Sequence, residues 1–206
     1  MTEIVLASSN KGKLAEIQKI LSAFDISITP QSDLNVSDAD ETGLTFIENA
    51  IIKARHASAI TGKPAIADDS GLEVDLLNGA PGIYSSRYAG EDATDQENVE
   101  KLLDALDGVS EDQRSARFYC IIIFIRHQDD PTPLICEGSW AGTVMTQPRG
   151  TYGFGYDPVF YVPTHQCSSA ELPPDVKNTI SHRGQALRAL IQYLPVIQTH
   201  LTLNQI

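Results

Sequence analysis

Apolar residues recur along this chain at two spacings, and each spacing predicts an element. Ile4-Val5-Leu6-Ala7 is a short continuous apolar run, as expected of a buried strand. Ser8-Ser9-Asn10 then supply turn or N-cap chemistry, and Leu14, Ile17, Ile20, Leu21 and Phe24 recur at helical intervals. Ile26-Ser27-Ile28 alternates, predicting a second strand. A polar, acidic segment at 33–43 ends in Asp40-Glu41-Thr42-Gly43. Leu44, Ile47, Ile51 and Ala54 mark one face of a second helix, which stops before Gly62-Lys63-Pro64. Ala65-Ile66-Ala67 predicts a strand that ends at the adjacent aspartates Asp68 and Asp69, and Leu72 to Leu77 predicts another.

Asn78 to Gly82 is loop chemistry. Val99, Leu102, Leu103 and Leu106 mark a third helix, closed by Asp107-Gly108. Residues 115–126 and 134–146 read as two long strands joined by a hairpin connection through Asp129-Asp130-Pro131 and Pro133. A stretch rich in Gly and Pro, 148–158, precedes a last helix that begins near Ser181 and packs Leu187, Leu190, Ile191 and Leu194 before Pro195. Residues 196–206 read as a loose tail. Alternating strands and helices plus a hairpin predict an α/β chain with a mixed sheet, in one domain or two closely joined lobes over 1–206.

Composition narrows the function. The chain has 206 residues, 42% hydrophobic and 20% charged, as expected of a soluble globular protein. No apolar run reaches the roughly 18 residues of a membrane span, and residues 1–10 lack a signal-peptide pattern. Cys120, Cys136 and Cys167 show no metal-ligand or disulfide spacing, which fits a reducing cytoplasm. The formal net charge of −12 argues against broad nucleic-acid binding, but local lysines or a metal can still create an anion site.

Four segments carry candidate chemistry, each with a structural alternative. Ser8-Ser9-Asn10-Lys11-Gly12-Lys13 follows a strand and opens a helix, where free N–H groups and the helix dipole favour an anion; the alternative is a capped helix with two surface lysines. Asp68 and Asp69 with Glu41 could hold Mg²⁺, one carboxylate taking a proton from water; the alternative is a turn in which the aspartates cap backbone N–H groups. In Gly150 to Pro158, Phe154 could stack on a flat base and Asp157 could accept from ring N–H groups; the alternative is a glycine-rich hairpin with Phe154 filling the core. Lys177, His182 and Arg183 place cations near a helix start, where an anion or a carbonyl oxygen would offset the dipole cost; the alternative is a set of exposed basic residues, which are common at helix starts. Lys53 on the second helix reads as either a solvated lysine or a ligand. Nothing matches a serine-hydrolase elbow or a zinc protease motif.

Taken together and in this order, the motifs resemble the inosine triphosphate pyrophosphatase family. The likeness runs through ASSNKGK at 7–13, ETGLTFIENAIIKA at 41–54, AIADDSGLEVD at 65–75, GAPGIYSSRYAGEDATD at 79–95, GTYGFGYDPVF at 150–160 and SHRGQAL at 181–187. The resemblance implies an elongated mixed β-sheet flanked by helices, with two lobes and a central substrate cleft, usually in a homodimer. It implies Mg²⁺-dependent cleavage of dITP, ITP or XTP to the monophosphate and pyrophosphate. Carried over by position, Ser8, Ser9, Asn10, Lys11, Gly12 and Lys13 form the phosphate loop, with Lys53 as helper. Asp69 is the catalytic base, and Glu41, Asp68 and Asp69 hold the metal. Ser70, Phe154, Gly155, Tyr156, Asp157, Lys177, His182 and Arg183 contact the substrate. Tyr152 is bulkier than is common in the glycine-rich loop of relatives. The rival readings are a Mg²⁺ phosphohydrolase for another nucleotide and a nucleotide sensor without turnover.

Overall fold

A computed structural model describes residues 3–21, 27–193, 195 and 197. Seven strands form one sheet in the order β2-β1-β3-β4-β5-β6-β7. Strand β1 (Glu3–Ala7) pairs in parallel with β2 (Ser27–Pro30) on one side and with β3 (Ala65–Val74) on the other. At the far edge, β6 (Phe160–Val162) runs antiparallel to both β5 (Leu134–Val144) and β7 (Cys167–Ser168). The sheet is therefore mixed, as the alternation of elements predicts.

The chain divides into two compact units, 1–69 with 120–137 and 184–206, and 70–119 with 138–183. In the first, Ile4, Leu6, Ile17, Ile66, Ile122, Leu187 and Leu190 belong to one core. In the second, Leu72, Leu102, Phe118, Trp140, Val159 and Phe160 belong to another. Strand β4 (Ser115–Ile125) alternates in burial at its start and is buried on both faces from Cys120 onward. That explains its unbroken apolar run Ile121 to Ile125.

Three expectations need correction. The strand predicted to stop at Asp68 runs through both aspartates and Ser70-Gly71 to Val74, and Asp75–Leu77 is a 3₁₀ turn. Asp is a poor strand former in isolation, but here each carboxylate meets a lysine across the fold, and that tertiary pairing overrides propensity. The second helix, α2 (Phe46–Thr61), begins after Leu44, which is 81% exposed, and Ile47 is also exposed. Its buried face is Phe46, Asn49, Ala50, Ala54, Ala57 and Ser58. Small side chains predominate on the buried face of this helix, which packs on β1, and Ile47 and Ile60 are exposed. The first helix, α1, spans Lys11–Leu21; Phe24, Ile26, Leu194 and the tail residues 198–206 lie outside the described residues.

The third predicted helix is α3 (Asp95–Ala105), opened by a reciprocal capping box between Thr94 and Glu97. The C-terminal segment holds two helices where one was expected, α4 (Pro174–Ile180) and α5 (His182–Gln192). Ser181 ends the first, so the second starts at His182.

The β4–β5 connection is fixed by Asp130, which is buried. It accepts from the Arg126 guanidinium at Nε (2.8 Å), from Arg126 N–H (2.9 Å) and from Thr132 N–H (3.0 Å). The Arg126 hydrogen bond holds the Asp130 carboxyl well below the usual carboxylate range, against the effect of burial. A depressed folded-state value contributes stability that is present above the unfolded pKa of about 3.9 and is lost as pH falls toward the folded value. We predict that Asp130→Ala lowers stability at neutral pH by about 2 kcal/mol. The deficit, measured by denaturant unfolding, shrinks below about pH 4. An equal deficit at pH 7 and pH 3 would contradict this.

Candidate active site

The opening turn of the chain forms as its residues dictate. Asn10 caps α1, its Oδ1 accepting from Lys13 N–H at 3.0 Å, and the helix has no acidic residue in its first turn. The positive end of α1 is thus not neutralised by its own sequence. Ser8 is buried, whereas Ser9, Asn10 and Lys11 are exposed and Gly12 and Lys13 partly so.

Strand β3, flanked in the sheet by β1 and β4, presents Asp68 and Asp69 next. Successive strand residues face opposite sides. The two carboxylates accordingly meet different cations: Asp68 Oδ2 lies 3.2 Å from Lys13 Nζ, and Asp69 Oδ1 lies 2.8 Å from Lys53 Nζ. Lys53 Nζ also lies 2.9 Å from Glu41 Oε1, so one ammonium bridges two carboxylates from separate segments. This answers the alternative of a capping turn, since Asp68 and Asp69 sit within a strand. Lys53, read as either solvated or functional, is part of the cluster.

The charges shape one another. Burial pushes the Asp69 carboxyl upward, opposed by Lys53 and Lys13. Burial alone would lower Lys53, but Asp69, Asp68 and Glu41 hold its ammonium above the ordinary lysine value. Asp69 Oδ2 is buried and has no hydrogen-bond partner among the described residues. A buried acceptor without a donor is costly, so this atom is a place where water or a cation would be accommodated. No three His, Cys, Asp or Glu side chains form a preformed metal cage among the described residues, because lysines stand among the carboxylates.

Sequence reasoning missed Asn49. It is wholly buried, one turn before Lys53 on the inward row of α2. Its Oδ1 accepts from Gly43 N–H at 2.8 Å, which ties the 41–43 segment to the helix. A Cβ on Gly43 would lie 2.5 Å from Glu48 Cβ and 2.7 Å from Asn49 Oδ1, so only glycine fits. The available signal was a polar residue on a helix face that also carries Ala50, Ala54 and Ala57.

In the second unit, Arg183 Nη2 donates to Ser70 Oγ at 2.8 Å. The Phe154 ring lies 5.2 Å from Lys177 Nζ and 5.7 Å from Arg183 Cζ, both in the cation–π range. Phe154 is half-buried rather than a core plug. Asp157 departs from its expected role as an acceptor for a base: it is buried and accepts from Phe154 N–H (2.9 Å), Ser169 Oγ (2.7 Å) and Lys177 Nζ (2.6 Å). A Cβ on Gly153 would come within 2.0 Å of Asp157 Oδ2, and its φ is +78°. The glycine here serves loop closure over Asp157.

Tyr156 is also buried, its hydroxyl donating to Ser85 O at 2.9 Å, and Gly155 N–H donates to Asp95 Oδ2 at 2.7 Å. His182 stacks on Phe118 with centroids 4.7 Å apart and planes 10° apart. Trp140 lies 6.4 Å away at 18°. Tyr152 is half exposed at the loop surface, consistent with a bulky residue being accommodated there.

The profile of the Ham1 family matches residues 4–193. The chain belongs to the Ham1 family. Its similarity to the dITP/XTP pyrophosphatase of Shigella flexneri is 59% identity over 194 residues, covering 94% of this chain and 98% of the relative. The structure of a HAM1 protein from Coxiella burnetii superposes with a TM-score of 0.88 at 56% identity, covering 95% of this chain and 99% of that one. The Staphylococcus aureus Ham1 protein gives 0.84 at 42% identity, covering 94% and 98%. Membership in the Ham1 family bears out the resemblance drawn from the motifs, and these structures bear out the mixed α/β fold.

Asn49 is a positioning residue for the 41–43 segment on this geometry. We predict that Asn49→Ala, and separately Gly43→Ala, lowers kcat for the triphosphate about tenfold or more, because the Glu41 segment loses its anchor. Steady-state kinetics alongside thermal unfolding would check it; full turnover in either variant would remove the anchoring role.

Proposed function

We propose that this chain hydrolyses the nonstandard purine nucleoside triphosphates dITP, ITP and XTP to the monophosphate and pyrophosphate, with Mg²⁺ as the metal. The observation that carries the reading is the buried, partnerless Asp69 Oδ2 within a cluster of carboxylates and lysines. The names borne by close relatives support the substrate class. A homodimer in the cytoplasm is part of the same proposal; no helix among the described residues is long and apolar enough to cross a membrane.

The residues divide the work. Asn10 fixes the start of α1 by accepting from Lys13 N–H, and the remaining N–H groups of that turn and the Lys13 ammonium receive phosphate oxygens, with Ser8, Ser9, Lys11 and Gly12 completing the turn. Lys53 adds a cation between Glu41 and Asp69. Asp69 Oδ2 orients the attacking water and takes its proton; burial, by raising the carboxyl's proton affinity, makes it a better base than an exposed aspartate. Glu41, Asp68 and Asp69 supply hard oxygen donors of the kind Mg²⁺ takes, and together they would hold it. When bound, the ion would neutralise phosphate charge.

Base selection falls to Phe154, His182 and Arg183. Phe154 offers a ring face, its position held by Lys177, Arg183 and the Asp157 hydrogen bonds. Arg183, held by Ser70, and His182, held by the Phe118 stack, are donors suited to a 6-oxo purine. Adenine presents a 6-amino donor instead, and a buried donor left unpaired costs about 1–3 kcal/mol.

The test is a panel of ITP, dITP, XTP, ATP and dTTP with Mg²⁺, quantifying monophosphate and pyrophosphate. The expected result is pyrophosphate release, with kcat/KM for ITP exceeding that for ATP by about tenfold or more, and loss of activity with chelator. Equal rates on ATP and ITP would contradict the base selection, and release of orthophosphate would contradict the cleavage position.

A further inference from the structure

The carboxylates of the first unit suit a divalent cation, yet each is engaged by an ammonium group. Lys53 Nζ stands 2.9 Å from Glu41 Oε1 and 2.8 Å from Asp69 Oδ1, and Lys13 Nζ stands 3.2 Å from Asp68 Oδ2. Three carboxylates and two ammonium groups leave a formal charge of −1. A divalent cation entering this cluster would be attracted by only one net charge and repelled by two adjacent cations.

The two kinds of group differ in mobility. Asp68 and Asp69 are fixed on a strand paired within the sheet, and both are buried. A lysine ammonium rides on a flexible four-carbon stem and can change partner without backbone movement. Lys13 sits in the first turn of α1, whose N-terminus lacks an acidic neighbour, so an anion there would compete with Asp68 for it.

We propose that Lys53 and Lys13 are resident counter-ions that keep the carboxylate set from holding a divalent cation until a triphosphate draws their ammonium groups onto its oxygens. Nucleotide and metal then bind interdependently. This rests on the pyrophosphatase reading above and adds to it an order of events. By linkage, whatever factor the nucleotide gives to metal affinity, the metal gives to nucleotide affinity.

The experiment is direct Mn²⁺ binding, read as loss of the free-ion electron paramagnetic resonance signal. Titrations would use the protein alone, the protein with a non-hydrolysable α,β-methylene ITP (corrected for Mn²⁺ held by the analogue itself), and Lys53→Met alone. The expected result is Mn²⁺ affinity about tenfold or more higher with the analogue than without it. Lys53→Met without nucleotide is likewise expected to bind Mn²⁺ more tightly than the unmodified protein. If that variant does not fold, Lys13→Met takes its place, and Mn²⁺ affinity no higher than that of the unmodified protein in the variant that folds would overturn the counter-ion role. Equal Mn²⁺ affinity with and without the analogue, in protein that still releases pyrophosphate from ITP, would overturn the counter-ion role while leaving the activity intact. No Mn²⁺ binding in any titration would overturn the metal reading itself and this inference with it.

Discussion

Two adjacent buried carboxylates on one strand are tolerable only if each has its own countercharge, and that requirement organises the first unit. Asp68 and Asp69 are neighbours on β3, and each has a different lysine at ion-pair distance. Lys13 comes from the first turn of α1 and Lys53 from the third turn of α2, 2.8–3.2 Å from their partners. Removing either lysine would leave a buried charge uncompensated, at a cost of several kcal/mol. Helix placement, strand register and electrostatics are therefore one constraint. The small-residue face of α2 follows from it, because Ala50, Ala54 and Ala57 let the helix come close enough for Lys53 to reach Asp69.

The same arrangement links stability to chemistry. Asp69 spends one oxygen on Lys53 and keeps the other without a partner. A site optimised for stability alone would pair both oxygens or replace the carboxylate. In the second unit the logic differs. Asp157, Tyr156 and Gly153 hold a loop shape, and the half-buried ring of Phe154, near the Lys177 and Arg183 cations, is left to a ligand together with the donors of His182 and Arg183. Buried polar groups that look functional in the sequence thus divide into those whose hydrogen bonds are satisfied internally and those with capacity left over.

Much of this was legible in the sequence, for identifiable reasons. Strands β1, β4 and β5 were marked by continuous or alternating apolar residues, and α1, α3 and α5 by helical periodicity. Asn10 and Lys13 stood where a strand gives way to a helix. Other features depend on partners distant in sequence and leave no local trace. The continuation of β3 through Asp68 and Asp69 needs lysines supplied 55 and 16 residues upstream in the chain. The inward face of α2 is read wrongly from Leu44, Ile47 and Ile51, because small residues face the sheet and carry less hydrophobic signal. Asn49 was hidden for the same reason. The short strands β6 and β7 lack enough residues to show a period.

The central claim is that Asp69, with its unpaired oxygen, activates the water while the lysines and loop bind the nucleotide. The most direct measurement pairs single-turnover hydrolysis of ITP with the dissociation constant for α,β-methylene ITP, in Asp69→Asn and in the unmodified protein. Asparagine keeps the shape and loses the proton acceptor. The account predicts that turnover falls about 100-fold or more while the dissociation constant stays within about threefold. Turnover within tenfold of the unmodified protein, or a loss of binding that matches the loss of rate, would contradict it.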